Sequence, residues 1–308
     1  MLIGIFLILI HWLFVFLLAP LFVGLVVKVK AFFAGKKGPS VFQPYFDLVK
    51  LSRKQCIYSQ TTSWVFRAAP VVALASVFVV SLEIPLGILK APLQFSGDIL
   101  LLAYLLALSR FFMIASALDT GLSLEGAGAS REAFFSCLSE LALFMNFITL
   151  ACLTQSISLS EMIGVNILIP WNLDPVLLLV VASFFIVLLA ENCRIPVDDP
   201  DTHLELTMIH EVMILDHSGV DLAYMHYASA VKLFLFSGIL VMILIIPFQT
   251  GNPVKDMLIF LTGMLGLAVL VGVIESSMAR LRLNRVRNLL LIAFALAFFG
   301  FVITIWRG

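Results

Sequence analysis

The sequence predicts an all-α, polytopic integral membrane protein: eight transmembrane helices, an amphipathic interfacial helix and a cytoplasmic loop helix. Three observations predict it. Of 308 residues, 62% are hydrophobic and only 12% charged, where a soluble domain carries about a quarter charged residues. Mean hydropathy is +1.11. Eight apolar stretches, near residues 3–27, 65–82, 99–117, 133–154, 174–190, 230–247, 257–274 and 289–306, mostly reach the ~17–25 residues a membrane helix needs. They form one membrane domain over 1–308, without internal repeats. The net charge of zero gives no bulk basic signal for nucleic acid.

The first stretch has no basic segment before it and is too long for a signal peptide, so it reads as a retained span. Loop charges then orient the chain. Lys28, Lys30, Lys36, Lys37, Lys50, Arg53, Lys54 and Arg67 flank the first connection, and Arg131, Arg194, Lys232, Arg280, Arg282, Arg285 and Arg287 fall on the same side. Only Lys90, Lys255 and Arg307 fall on the other. Loops 28–64, 118–132, 191–229 and 275–288 are therefore expected in the cytoplasm, and both termini outside.

Within the first loop, Phe42, Tyr45, Phe46, Val49 and Leu48 make an apolar face at helical spacing, and Pro44 suits a first turn. This predicts a short helix lying in the membrane interface. It serves either as a surface anchor or as a platform for a soluble partner.

The polar run Glu191 to Gly219 carries most of the titratable groups. Pro196 and Pro200 stop a helix continuing from the fifth span. Thr202 and Glu205 are spaced as a capping box, which starts a new helix that Ser218-Gly219 would end. On that helix His203, Thr207, His210 and His217 fall near one line. Three readings are open: histidines bonded within a subunit interface, a proton relay, or a metal site. Seven-residue spacing separates ligands by about 10 Å, too far for one ion. The four cysteines, Cys56, Cys137, Cys152 and Cys193, have no metal or cluster spacing. No cofactor or metal is expected in this chain.

Charges inside the spans are costly and mark function or buried pairs. Arg110 in the third span and Glu140 in the fourth sit at similar depth, about 10 Å in by helical rise, and are expected to pair. Glu191, Lys232 and Glu275 mark the inner ends of the fifth, sixth and seventh spans. With Glu140 they could form a lateral row. His11 sits alone in mid-span, where a helix-to-helix hydrogen bond explains it.

These residues resemble the membrane protein that anchors the peripheral arm in respiratory complex I (its subunit 1) and in membrane-bound [NiFe]-hydrogenases. The resemblance covers nearly the whole chain. In AENCRIPVDDPDTHLEL, Glu191, Arg194, Pro196, Asp198, Pro200, Asp201 and Glu205 match the complex I loop pattern. Asp216-His217-Ser218-Gly219 is similar to that loop's ending, two residues further along. KKGPSVFQPYFDLVKLSRKQ, with Gln43 and Asp47, is similar to the first-loop motif of formate hydrogenlyase and hydrogenase-4 membrane subunits. SRFFMIASALDTG, GASREA and ESSMARLRL also read like the hydrogenase type. Two departures stand out: Ser40 where the family has a second glycine, and His203 where it has an acid.

The resemblance implies a coupling subunit in a prokaryotic inner membrane. A soluble arm with [NiFe] and [4Fe-4S] subunits would dock on Lys36, Lys37, Gln43, Asp47, Lys50, Arg53 and Arg131. Arg110, Glu140, Glu191, Arg194, Asp198, Asp201, Glu205, Lys232 and Glu275 would pass redox-linked changes to antiporter-like membrane subunits, with His203, His210 and His217 as a relay. The alternatives are a quinone-binding subunit, a stand-alone ion transporter and a purely structural anchor.

Overall fold

A computed structural model describes residues 2–163, 175–198, 208–245 and 251–307. The described residues form eleven helices. Eight are the expected apolar ones: α1 (Leu2–Phe33), α3 (Trp64–Glu83), α4 (Asp98–Asp119), α5 (Ser123–Thr154), α7 (Pro175–Glu191), α9 (Gly219–Ile245), α10 (Pro253–Ser277) and α11 (Leu283–Arg307). Seven of these are long enough to cross a membrane, and α7 is shorter but apolar. The chain is a multi-pass membrane protein. The small helices are α2 (Gln43–Ser52), α6 (Leu159–Ile163) and α8 (His210–Met213).

Local chemistry fixes several helix starts. Ser63 Oγ accepts the Val65 N–H and opens α3. Asn252 does the same for Val254 at α10, with Pro253 in the first turn. Helix α2 also begins with its proline.

The helices outrun their apolar stretches. α5 starts ten residues before the expected 133, and α9 eleven before the expected 230. A hydropathy window ends at the first charges, but a backbone gains hydrogen bonds by staying helical into polar sequence. Both extensions lie at the end of the bundle that carries the charged loops. They carry Glu125, Arg131 and Glu132 on α5, and Asp221 and His226 on α9, into that end.

Helix α9 is the centre of the bundle. Of its apolar stretch 78% is buried, against 22–44% for the other long spans. α3 packs on α4, α11 on α5 and α7, and α1 on α10. Where apolar surface already faces apolar lipid, close packing replaces hydrophobic burial as the driving force. Gly272 of α10 shows it: a Cβ there would lie 2.8 Å from Val29 of α1.

Helix α2 lies where the first loop was expected to hold an interfacial helix. It has no buried residue, and Phe42, Phe46 and Val49 are exposed. Tyr45 ties it down by donating its hydroxyl to the Leu17 carbonyl of α1.

Candidate functional site

Arg110 of α4 is the hub. Its guanidinium bonds Glu140 of α5 through Nη1 and Glu191 at the end of α7 through Nη2. Its Nε lies 3.5 Å from Glu132 of α5. The expected Arg110–Glu140 pair is present, with two further acids on the same cation. Glu191 in turn takes Lys232 Nζ of α9 at 2.9 Å and Ser139 Oγ at 2.6 Å. Lys232 Nζ also donates to the Glu191 carbonyl at 2.7 Å.

Four spans thus meet in one ionic cluster. Arg110 is 8% exposed and the Glu191 side chain 1%, while Glu140 is 37% exposed at the bundle's side. Three carboxylates face two cations in this cluster. A buried site with a surplus negative charge is stabilised by taking up a proton. The count therefore suits a group that exchanges protons.

A cavity of about 50 Å³ opens beside the cluster, lined among others by Arg110, Glu132, Glu191, Cys193, His210 and Lys232. It has room for a few waters. It is far smaller than the ~300–1,000 Å³ of pockets that hold drug-sized ligands. A second cavity, of about 60 Å³, lies between Arg110, Glu140 and Glu191 on the side of Tyr104 and Phe144.

The polar run is pinned to the ends of α10 and α11. Asp198, 1% exposed, accepts Arg280 Nη2 at 2.8 Å and the N–H groups of Ile209 and His210 at 3.0 and 3.1 Å. Arg194 Nη1 lies 3.4 Å from Glu275. Leu281 N–H bonds the Pro196 carbonyl. Glu275 therefore belongs to this second group with Arg194, not to a row with Glu140 and Lys232. Lys232 is not at the inner end of its helix either, because α9 starts at Gly219; it sits about 20 Å along it by helical rise.

The histidine line does not form as expected. Asp201, His203, Glu205 and the capping box lie outside the described residues. Helix α8 covers only His210–Met213. The chain then turns: Glu125 Oε1 accepts the Asp216 N–H at 3.2 Å. His217 stacks flat on Phe66 of α3, with centroids 3.9 Å apart and planes 4° apart. Gly219, read as a helix end, is the start of α9 at φ +57°. A glycine tolerates that angle wherever it falls, so the Ser-Gly signal marked the boundary but not its direction.

Neither described loop histidine carries a proton at neutral pH. Burial, then the charges of Lys232, His226 and Arg194, push His210 down to about 3. Burial pushes His217 down to about 4, against the pull of Asp221. Neutral His210 on the cavity wall can relay through hydrogen bonds but cannot store charge. Among the described residues, no group of three or more His, Cys, Asp or Glu is arranged to hold a metal ion.

Sequence reasoning passed over Glu132, which seemed to end a loop, and Cys193. Cys193 adopts φ +48° just past α7 and turns Sγ toward Glu132 at 3.9 Å. Burial pushes its thiol well up, so it stays a thiol on the cavity wall.

The expected docking residues divide. Lys36, Lys37, Asp47, Lys50 and Arg53 are exposed, and Gln43 Nε2 bonds Asp47 Oδ1 within α2. Arg131 is half-buried and donates to the Met208 carbonyl at 3.0 Å, holding the polar run.

Comparisons with known proteins agree with this architecture. Hydrogenase-4 component C of Escherichia coli (strain K12) is 31% identical over 294 residues, covering 93% of this chain and 91% of that protein. Formate hydrogenlyase subunit 4 of the same strain is 29% identical over 307 residues, 96% of each. A membrane subunit of the NADH-quinone oxidoreductase of Anaplasma phagocytophilum (strain HZ) is 27% identical over 237 residues, 70% of this chain and 68% of that one. A chain in the structure of the membrane-bound sulfane sulfur reductase, an archaeal respiratory membrane complex, shares the fold at TM-score 0.84 and 19% identity, covering 98% of this chain and 99% of that chain. The model of the NADH dehydrogenase family matches residues 5–305. With eight apolar helices gathered round one buried ionic cluster, and a family match from end to end, this chain belongs to the NADH dehydrogenase family.

Proposed function

We propose that this chain is the membrane-anchoring and coupling subunit of a multisubunit respiratory oxidoreductase of the hydrogenase-4 or formate hydrogenlyase type. In this reading the charged end of the bundle faces the cytoplasm, and both termini face outward. A soluble arm carrying [NiFe] and iron–sulfur subunits docks there, on the exposed basic residues Lys36, Lys37, Lys50 and Arg53. This chain contributes no redox centre of its own.

The single observation that carries the reading is the Arg110–Glu191–Lys232 cluster, buried where the polar run meets the spans. Redox events in the arm shift the run, which Asp198 and Arg194 hold against Arg280 and Glu275. The run begins at Glu191, so movement of its start alters the contacts of that carboxylate with Arg110 and Lys232. The cluster then takes up or releases a proton, and half-exposed Glu140 hands the change sideways to antiporter-like subunits. The small cavities beside Arg110 favour water-borne proton movement over a bound quinone.

Two measurements on the assembled complex in membrane vesicles test it. Glu140→Gln and Glu191→Gln should keep electron transfer and lower ions moved per turnover; unchanged pumping in both sinks the coupling role. Charge reversal at Lys36, Lys37, Lys50 and Arg53 together should release the soluble arm at moderate salt. An arm that stays bound as in the wild type rejects the docking surface.

A further inference from the structure

A second pair of buried acids sits at the other end of the bundle, away from the charged loops. Glu83 is the last residue of α3 and Asp98 the first of α4, and both are fully buried. Loop 84–97 joins them and folds back over Glu83. Leu86 and Leu89 bridge to each other, and the Leu93 N–H bonds the Leu82 carbonyl. Ile84 and Leu86 are buried, while Lys90, the loop's cation, is exposed.

The two acids are provided for very differently. Asp98 accepts Ser158 Oγ at 2.9 Å and the Leu159 N–H at 2.7 Å. It also sits in the first turn of α4, where the helix dipole favours an anion. Glu83 is buried with neither oxygen meeting a hydrogen-bond partner among the described residues. Its electrostatic neighbour is Asp98, a like charge. A buried carboxylate stripped of donors costs several kcal/mol more than the neutral acid. When two acids share a buried site, the one with donors ionises and the other keeps its proton.

The other helices packed on α3 bring no cation to relieve it. From α1, His11 Nε2 bonds the Ser81 carbonyl at 2.7 Å, within a turn of Glu83. From α9, buried Ser237 is uncharged. Toward the Arg110 cluster lies apolar packing: a void of about 10 Å³ lined by Val77, Val80, Ile84, Leu102, Leu106 and Lys232. One water at most fits there, so the two acidic sites are insulated from each other.

We propose that Glu83, beside Asp98, is a second proton-binding site that exchanges with the face opposite the charged loops. The step is the simple acid equilibrium: Glu83 releases one proton and becomes a carboxylate, and regains the acid when a proton returns. It is independent of the Arg110 cluster and extends the coupling reading to the far face.

Infrared difference spectroscopy of the intact complex in lipid, titrated with pH, tests it. The wild type should show a protonated-carboxyl band that shifts in heavy water and is absent in Glu83→Gln. An identical band in the variant overturns the proposal. If Glu83→Gln does not assemble, Glu83→Asp should move the band, and an unmoved band is equally fatal. Sodium added at fixed pH should leave the band in place; its loss would assign a metal cation instead of a proton. In vesicles, Glu83→Gln should keep donor turnover while proton release on that face falls at least twofold, and full release overturns the functional part. The readouts separate the two ideas: Glu191→Gln leaves the Glu83 band intact whether or not it affects pumping.

Discussion

Arg110 of α4 and Glu191 at the end of α7 hold each other across the bundle interior, and Glu191 is shared with Lys232 of α9. Three helices are joined by one carboxylate. That carboxylate is also the first residue of the polar run, so the run cannot shift at its root without disturbing buried charge.

Removing the arginine should be severe. Arg110→Leu leaves Glu132, Glu140 and Glu191 with Lys232 as their only nearby cation of the cluster. Breaking a buried pair by deleting one partner costs about 3–5 kcal/mol. The expected outcome is a large drop in the thermal midpoint of the detergent-solubilised complex. Arg110→Lys keeps the charge but not the forked geometry, and should fall between the two.

The stacked histidine makes stability depend on pH. His217 is lowered from 6.5 to about 4, so the folded chain binds fewer protons than the unfolded one between those values. Its contribution is therefore present above about pH 6.5 and is lost as pH falls toward 4, by on the order of 3 kcal/mol. His217→Phe keeps the stack on Phe66 without the titration. Its thermal midpoint should fall less than the wild type's between pH 7 and pH 4.5; an equal fall would place the titration elsewhere.

The first loop is fastened to the start of α9. Tyr58 donates to Asp221 at 2.8 Å, and that bond to a carboxylate pushes the Tyr58 phenol well up. A Cβ on Gly219 would lie 2.5 Å from the Gln55 carbonyl oxygen, at φ +57°. Gly219→Ala should therefore loosen residues 54–58, costing about 1–3 kcal/mol locally. Hydrogen exchange would show this as faster exchange of the Ile57 amide, which now donates to Ser218 Oγ.

Much of this architecture is legible from residues alone. Apolar stretches locate the eight helices because lipid demands long, self-satisfied backbone, and equal depth from opposite directions matches Arg110 with Glu140. What hydropathy misses is how far helices run beyond their apolar stretches. That error hid Glu132 inside an apparent loop and placed Lys232 at a helix end. Lateral neighbours are also illegible: nothing in the local pattern says that Glu191 meets Arg110 while Glu275 meets Arg194. The His210–His217 line failed because helical phase was extended across 214–218, where the chain turns. Glu83 and Asp98 passed unnoticed because each ends an apolar stretch, where an acid ordinarily meets water.

The coupling role rests on Glu191, so the most direct measurement is ion translocation per electron pair in vesicles bearing Glu191→Gln. The substitution keeps size and the bond from Ser139 while removing the charge that Arg110 and Lys232 share. Electron transfer near the wild-type rate with translocation reduced at least severalfold is the predicted result. Wild-type translocation per electron pair, in a complex that assembles normally, would contradict it.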